Sequence, residues 1–377
     1  MDNILFSAAL AFLITFFAIP VIIQIAKDKK LFDEPDERKV HKVVIPTLGG
    51  LGIFAGFIIA MLMGVPLNVA GEIQYFAAAS IVIFFLGMKD DILVISASKK
   101  LIGQLIAAGI IIRFGGVQLT NMHGFLGIYE LPHIASIILT MFTVVVITNS
   151  FNLIDGIDGL AGSLGFLTSA VFGTYFYLNG QSAYAVMAFS LSGSLISFLI
   201  YNFSPAKIFM GDTGSLLLGL INSILVIKFI NLAGSTNIPF PLEASPALGF
   251  AILILPLFDT LRVFGLRLLD RRSPFSPDRN HIHHFLLDLG MSHRQITMTC
   301  LLTNILFIGL AFTLRNIGTT NIILILLTLS LTLTGIVFYL RQKKFNKSIM
   351  VEEARSESDM IKSHKVISLS PEPVEAD

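Results

Sequence analysis

Long apolar runs separated by short polar stretches set the pattern of this chain. Runs of about 20 apolar residues have the length of a helix that crosses a bilayer. They fall at roughly 3–26, 48–66, 72–88, 99–114, 132–149, 160–178, 183–201, 213–231, 246–268, 297–314 and 320–340. The pattern predicts an all-α polytopic membrane protein with about eleven transmembrane helices. The run at 99–114 is short and opens with Lys99 and Lys100. Glycines recur inside the runs, as close helix packing in lipid favours. The first run is preceded by Asp2, followed by Lys27, Lys29 and Lys30, and too long for the apolar part of a cleaved signal peptide. It reads as a retained span. Residues 341–377 are rich in Ser, Glu and Lys and lack the apolar residues of a core. They read as a disordered tail on an integral membrane domain at 1–340. No repeat of 20–50 residues stands out.

Composition agrees with that picture. Of 377 residues, 54% are hydrophobic and 14% charged, against about 25% charged in soluble domains. The net charge of +1 is spread over many loops and gives no nucleic-acid surface. Cys300 is the single cysteine, which excludes an intramolecular disulfide and a cysteine-based metal site. Trp is absent, so an interfacial aromatic belt would rest on Tyr and Phe. Alternate loops, with Arg267 at their edge, hold 22 of the 26 Lys and Arg residues. Basic loops face the cytoplasm, so the N-terminus is expected outside and the C-terminus inside.

The unusual polar residues gather on those same loops. They are DEPDERKVHKVVIPTLGG (33–50), GMKDDI (87–92), NSFNLIDGIDGLAGS (149–163), SPAKIFMGDTGS (204–215) and DRRSPFSPDRNHIHHFLLDLG (270–290). Few ionisable groups lie within the spans, unlike the mid-membrane pathway of a transporter. The picture is a site at the membrane–cytosol boundary. Asp90 and Asp91 are adjacent acids at an apolar boundary, where they call for a compensating cation. Asn152, Asp155 and Asp158 are spaced by three and can share one helix face; Asp158 would equally serve as an N-cap. Asp212 also suits an N-cap, a role compatible with a phosphate or metal nearby. His281, His283 and His284 could bind zinc, but Arg271, Arg272 and Arg279 beside them favour a phosphate. Arg38, Lys39, His41 and Lys42 could merely obey the rule for cytoplasmic loops. Carboxylates and amides without thiols suit a hard cation, Mg²⁺ with Mn²⁺ as a second option. Such a cation with phosphate-binding groups at a lipid boundary suggests phosphoryl transfer between a soluble phosphate compound and a lipid.

The ordered motifs GMKDDI, NSFNLIDGIDGLAG, IFMGDTGSLLLG and RRSPFSPDRNHIHH closely resemble those of the polyprenyl-phosphate N-acetylhexosamine-1-phosphate transferases, glycosyltransferase family 4. The resemblance covers about residues 27–290. It implies a bacterial cytoplasmic-membrane enzyme whose reaction partners are a UDP-N-acetylhexosamine and undecaprenyl phosphate. The products would be an undecaprenyl-diphospho-sugar and UMP, the first step of an envelope polysaccharide. It implies catalytic roles for Asp90 and Asp91, and Mg²⁺ contacts for Asp212, Asp155 and Asp91. It implies substrate contacts for Asn152, Asp158, His281, His283, His284, Arg279, Lys42 and His41. GlcNAc is the default sugar. Ile282 interrupts the histidines, which sets the chain apart from the peptidoglycan branch that takes UDP-MurNAc-pentapeptide and has three in a row. The motif instead resembles the branch that initiates O-antigen, enterobacterial common antigen or teichoic acid linkage. A prenyltransferase would need DDxxD-like spacing, and Val94 stands where the further acid would be. A cation or nucleotide-sugar transporter is the alternative from another class. A homodimer through one face of a span is a further option, though no motif marks it.

Overall fold

The computed structural model describes residues 2–29, 45–66, 71–272 and 280–367, with side chains as far as residue 347. Its helices are α1 (Asp2–Asp28), α2 (Gly49–Gly64), α3 (Ile73–Ile92), α4 (Ala97–Arg113), α5 (His133–Ile154), α6 (Leu160–Leu178), α7 (Ser182–Asn202), α8 (Gly211–Ala233), α9 (Ser245–Ile252), α10 (Ile254–Leu269), α11 (Ile282–Asp288), α12 (His293–Thr313) and α13 (Thr319–Ile367). Every apolar run in the sequence falls on one of them. By length and composition, seven can cross a membrane among the described residues, and an eighth if α9 and α10 form one bent span. That is fewer than the eleven read from the apolar runs. The helices α2 and α4 are only 16 and 17 residues long, and α6 is diluted by Gly, Ser and Thr.

Helix α8 is the centre of the bundle and is buried along nearly its whole length. Helices α2, α3, α5 and α6 pack around it, and α7 packs against α1, α2 and α6. The outer helices point large apolar side chains outward, Phe17 at 67% and Leu306 at 71% exposure among them. A soluble protein rarely tolerates so apolar an exterior, whereas a lipid solvent requires it. The protein is a multi-pass helical membrane protein.

The ninth apolar run is broken. Helices α9 and α10 meet at Leu253 with a bend of 85°. Pro256 has no N–H to give the Ile252 carbonyl, so the helical ladder fails there. Asn304, fully buried on α12, repairs both sides of the break. Its Nδ2 donates to the Ile252 carbonyl at 3.0 Å and its Oδ1 accepts from Leu255 N–H at 3.3 Å. In apolar surroundings, unpaired backbone groups cost about 1–3 kcal/mol each. Asn304→Leu is therefore expected to lower unfolding stability in detergent by about that much. Unchanged unfolding would mean that Asn304 does not hold the break.

Three features differ from the sequence expectation. Residues Asn121–Phe125 (β1) and Ile128–Glu130 (β2) form an antiparallel hairpin, so the fold is not purely helical. Their alternation is too short to rise above the apolar background. The hairpin is tied to α13, where Thr319 Oγ1 donates to the His123 carbonyl at 2.8 Å. Helix α13 runs unbroken to Ile367, so most of the expected disordered tail is helical. Helix α12 starts at His293, earlier than its apolar run. Ser292 and Gln295 form a capping box there, with Ser292 N–H donating to Gln295 Oε1 at 2.8 Å.

Candidate active site

Adjacent acids on a helix point about 100° apart, and Asp90 and Asp91 at the end of α3 have separate partners. Asp91 turns toward α8. Its Oδ1 accepts from Asp212 N–H at 2.7 Å, and its Oδ2 from Thr213 N–H at 3.0 Å and Thr213 Oγ1 at 2.5 Å. Asp91 thus caps the positive end of a neighbouring helix. Two glycines allow this approach. A Cβ on Gly87 would lie 2.5 Å from Thr213 Cα, so the α3 and α8 backbones touch one turn before Asp91. Gly211 has φ +69°, and a Cβ there would meet the Thr47 carbonyl at 2.2 Å.

Asp90 turns the other way. Its Oδ1 accepts from Ile95 N–H at 2.8 Å, and its Oδ2 pairs with Lys100 Nζ at 2.7 Å. Lys100, in the first turn of α4, also pairs with Asp212 Oδ2. Asp212 Oδ1 accepts from Asn152 Nδ2 at 2.6 Å, and the same amide donates to Ser215 Oγ at 2.9 Å. One ammonium therefore bridges two carboxylates carried by α3 and α8, with an α5 amide on the second. One turn deeper, Gln104 and Asn149 exchange amide hydrogen bonds at 2.9 and 3.3 Å. That pair fixes the register of α4 against α5, and so of Lys100 against Asn152. Lys100 and Gln104 were not singled out from sequence. Lys100 reads as an ordinary flanking charge, and Gln104 as one polar residue in an apolar run.

Asp155 follows the last residue of α5 and is partly buried. Burial holds its carboxyl well above the usual carboxylate range, and the charges of Asp212, Asp91 and Asp158 add to this. Asp158 serves a different purpose. Its Oδ2 accepts from Ala206 N–H at 3.2 Å and its Oδ1 lies 3.1 Å from His293 Nδ1. Thr297 Oγ1 donates to its carbonyl at 2.9 Å. Asp158 thus joins the second motif to the loop before α8 and to α12. It does not cap α6, whose N-cap is Gly159. Nor does Asp212 cap α8: it lies within the first turn, behind Met210.

The histidines lie on and before α11. His281 and His283 rings are parallel, 5.7 Å apart, and His283 and His284 are 4.3 Å apart. A Cβ on Gly156 would lie 2.9 Å from His283 Nε2, so the histidine segment packs onto the second motif. Burial, followed by the neighbouring His284, pushes His283 down to about 3, which keeps it neutral. His281 Nδ1 is 2.9 Å from Asp259 Oδ2. Asp259, on α10, was missed in the sequence. Its signal was an acid inside an apolar run, where a partner is obligatory. His41, Lys42 and Arg279 lie outside the described residues.

The structure thus brings Asp90, Asp91, Asn152, Asp155, Asp158 and Asp212 together with the histidine segment. The donor set around Lys100 is all oxygen, which suits a hard cation. Among the described residues, no three acids or histidines are placed to enclose a metal by themselves. Mg²⁺ is commonly held by one or two carboxylates together with substrate phosphates, and Asp212 with the adjacent Asp155 fits that description.

Residues 73–230 match the family described as glycosyl transferase family 4. A Bacillus subtilis (strain 168) protein named as a probable undecaprenyl-phosphate N-acetylglucosaminyl 1-phosphate transferase is 31% identical over 326 residues, covering 84% of this chain and 87% of that protein. The undecaprenyl-phosphate alpha-N-acetylglucosaminyl 1-phosphate transferase of Escherichia coli (strain K12) is 31% identical, covering 72% of this chain and 73% of that one. The decaprenyl-phosphate N-acetylglucosaminephosphotransferase of Mycobacterium leprae (strain TN) is 32% identical, covering 84% and 86%. The matched segment contains the acid pair, the Asn152–Asp158 loop and Asp212. With such relatives aligned along most of its length, the chain belongs to glycosyl transferase family 4.

Proposed function

We propose that the protein transfers GlcNAc-1-phosphate from UDP-GlcNAc to undecaprenyl phosphate. The names of the relatives support this acceptor and sugar phosphate. The observation that carries the reading is the network in which Lys100 joins Asp90 to Asp212 and Asn152 holds Asp212. An oxygen of the lipid phosphate attacks the β-phosphorus of the sugar nucleotide. The bond from that phosphorus to the bridging oxygen breaks, and UMP leaves. Asp90 takes the proton of the lipid phosphate, while Asp91, bonded to three donors at the start of α8, holds that helix in place. Asp212 and Asp155 would hold Mg²⁺, and the ion would neutralise the diphosphate charge. Asn152 fixes Asp212, and Asp158 and His293 hold the second motif in place. In transfers of this kind most of the acceleration comes from positioning and charge neutralisation.

The excess of Lys and Arg on the loops that carry the motifs supports a site on the cytoplasmic side of a bacterial inner membrane, with the N-terminus outside. There it meets soluble UDP-sugar and the phosphate of a lipid whose tail stays in the bilayer. The decisive experiment is UMP release by detergent-purified protein given undecaprenyl phosphate and UDP-GlcNAc, with Mg²⁺ or EDTA. The expected result is Mg²⁺-dependent UMP together with a lipid-linked sugar. UMP only from another UDP-sugar would change the substrate, and none from any nucleotide sugar would overturn the reading.

Asp155 gives this reaction a pH dependence. A carboxyl whose folded value is raised keeps its proton to higher pH and must release it to ligate a cation. The Mg²⁺ concentration for half-maximal UMP release should fall as pH rises, by up to about tenfold per pH unit for one displaced proton. It should level off once Asp155 is ionised. A flat requirement across that range would remove Asp155 from the cation's surroundings.

A further inference from the structure

Asp259 is 3% exposed and lies on α10, away from the acids already described. Three groups converge on it. Oδ1 accepts from Ile282 N–H at 3.1 Å and from Arg262 at 2.8 Å, and Oδ2 faces His281 Nδ1 at 2.9 Å. Arg262 also donates to the Asn280 carbonyl. The start of the histidine segment, residues 280 to 282, is thereby clamped to α10. The carboxylate fixes Nδ1 of His281 as a protonated nitrogen. The other ring nitrogen is left over. His281 is 4% exposed, and its Nε2 is buried without a hydrogen-bond partner. A buried polar atom without a partner in the protein is costly and calls for one from outside it.

We infer that Asp259 is a positioning residue for the transfer, holding His281 through Nδ1 so that Nε2 meets a phosphate oxygen of the sugar-nucleotide diphosphate. This rests on the transferase reading above. A phosphate oxygen needs a donor, and a ring that gives Nδ1–H to Asp259 can give Nε2–H to that oxygen. A hydrogen bond from Nε2 to a phosphate oxygen is charge-assisted, because the acceptor is an anion. His283 lies parallel to this ring, and His284 follows it on α11. The segment packs on Gly156, between Asp155 and Asp158, so the histidines and the acids border one space.

Asp259→Asn tests the inference sharply. Ile282 N–H and Arg262 both require an acceptor and keep the amide oxygen on their side. The amide NH₂ then faces His281 and forces Nδ1 to accept, so that the ring carries its proton on Nε2. The ring stays in place, but its Nδ1 no longer gives a proton to a carboxylate. The expected loss in kcat/KM is about 10- to 100-fold. The Asp259→Asn, His281→Gln double variant should be no slower than His281→Gln alone, because both act through one ring. A merely structural role would leave the tautomer unchanged, so ¹⁵N-histidine NMR in detergent is the second readout, with His281→Gln identifying the signal. The expected spectrum has Nδ1 protonated in the natural protein and Nε2 protonated in Asp259→Asn. An unchanged tautomer, or losses that multiply in the double variant, would overturn the inference. Should Asp259→Asn fail to fold, the natural protein decides. Its Nε2 signal shifts when UDP-GlcNAc and Mg²⁺ are added, and a silent Nε2 or an unprotonated Nδ1 overturns the inference. Absence of UMP from the natural protein would instead sink the transferase reading, and the NMR result would still stand or fall separately.

Discussion

Asp90→Asn is expected to leave a folded protein that releases UMP about 10²- to 10⁴-fold more slowly, the usual contribution of a general base. Asp91→Asn should also be slow, but for a different reason, and its unfolding should reveal it. Asp90 shares Lys100 with Asp212, so its loss leaves the ammonium paired. Asp91 accepts the first N–H groups of α8 and the Thr213 hydroxyl. An amide at position 91 would turn NH₂ toward one of these donors. Each buried hydrogen bond to a charged group contributes about 1.5–3 kcal/mol, so Asp91→Asn should unfold at clearly lower temperature in detergent. The two variants, compared by UMP release and thermal unfolding, separate proton transfer from helix positioning. Equal stability losses would show that the two acids do not divide the work this way.

Lys100→Met is the second large effect. It leaves Asp90 and Asp212 facing each other without their shared cation; the cluster is partly buried, so the cost falls below the roughly 3–5 kcal/mol of breaking a fully buried ion pair. Turnover should fall with it, since Asp212 loses one of its two restraints. Lys100→Arg should rescue little, because a planar fork does not replace a compact ammonium between two carboxylates. Mg²⁺ is expected to raise the unfolding temperature of Lys100→Met more than that of the natural protein, by taking over charge that Lys100 supplied. Equal Mg²⁺ shifts would mean that the lysine and the divalent ion do not share Asp212.

Much of this arrangement follows from local sequence alone. The apolar runs set the helices, since a backbone in lipid must satisfy its own hydrogen bonds. The acids, amides and histidines stand out between those runs, and their ordered motifs carry the family. Their convergence followed from the alternation of basic loops. What the runs could not show is direction around a helix axis. Asp90 and Asp91 are indistinguishable in sequence, and the contact of Gly87 with Thr213 decides which one caps α8. Asn304 reads as an isolated polar residue until the broken ends of α9 and α10 lie beside it. Asp259 reads as an odd acid in an apolar run until the chain returns 22 residues later with His281. The sequence by itself determined most of the helices, the polar groups between them and the family, because these depend on composition and short-range periodicity. The tertiary structure alone decided which side chains are partners, because partnership depends on how distant helices cross.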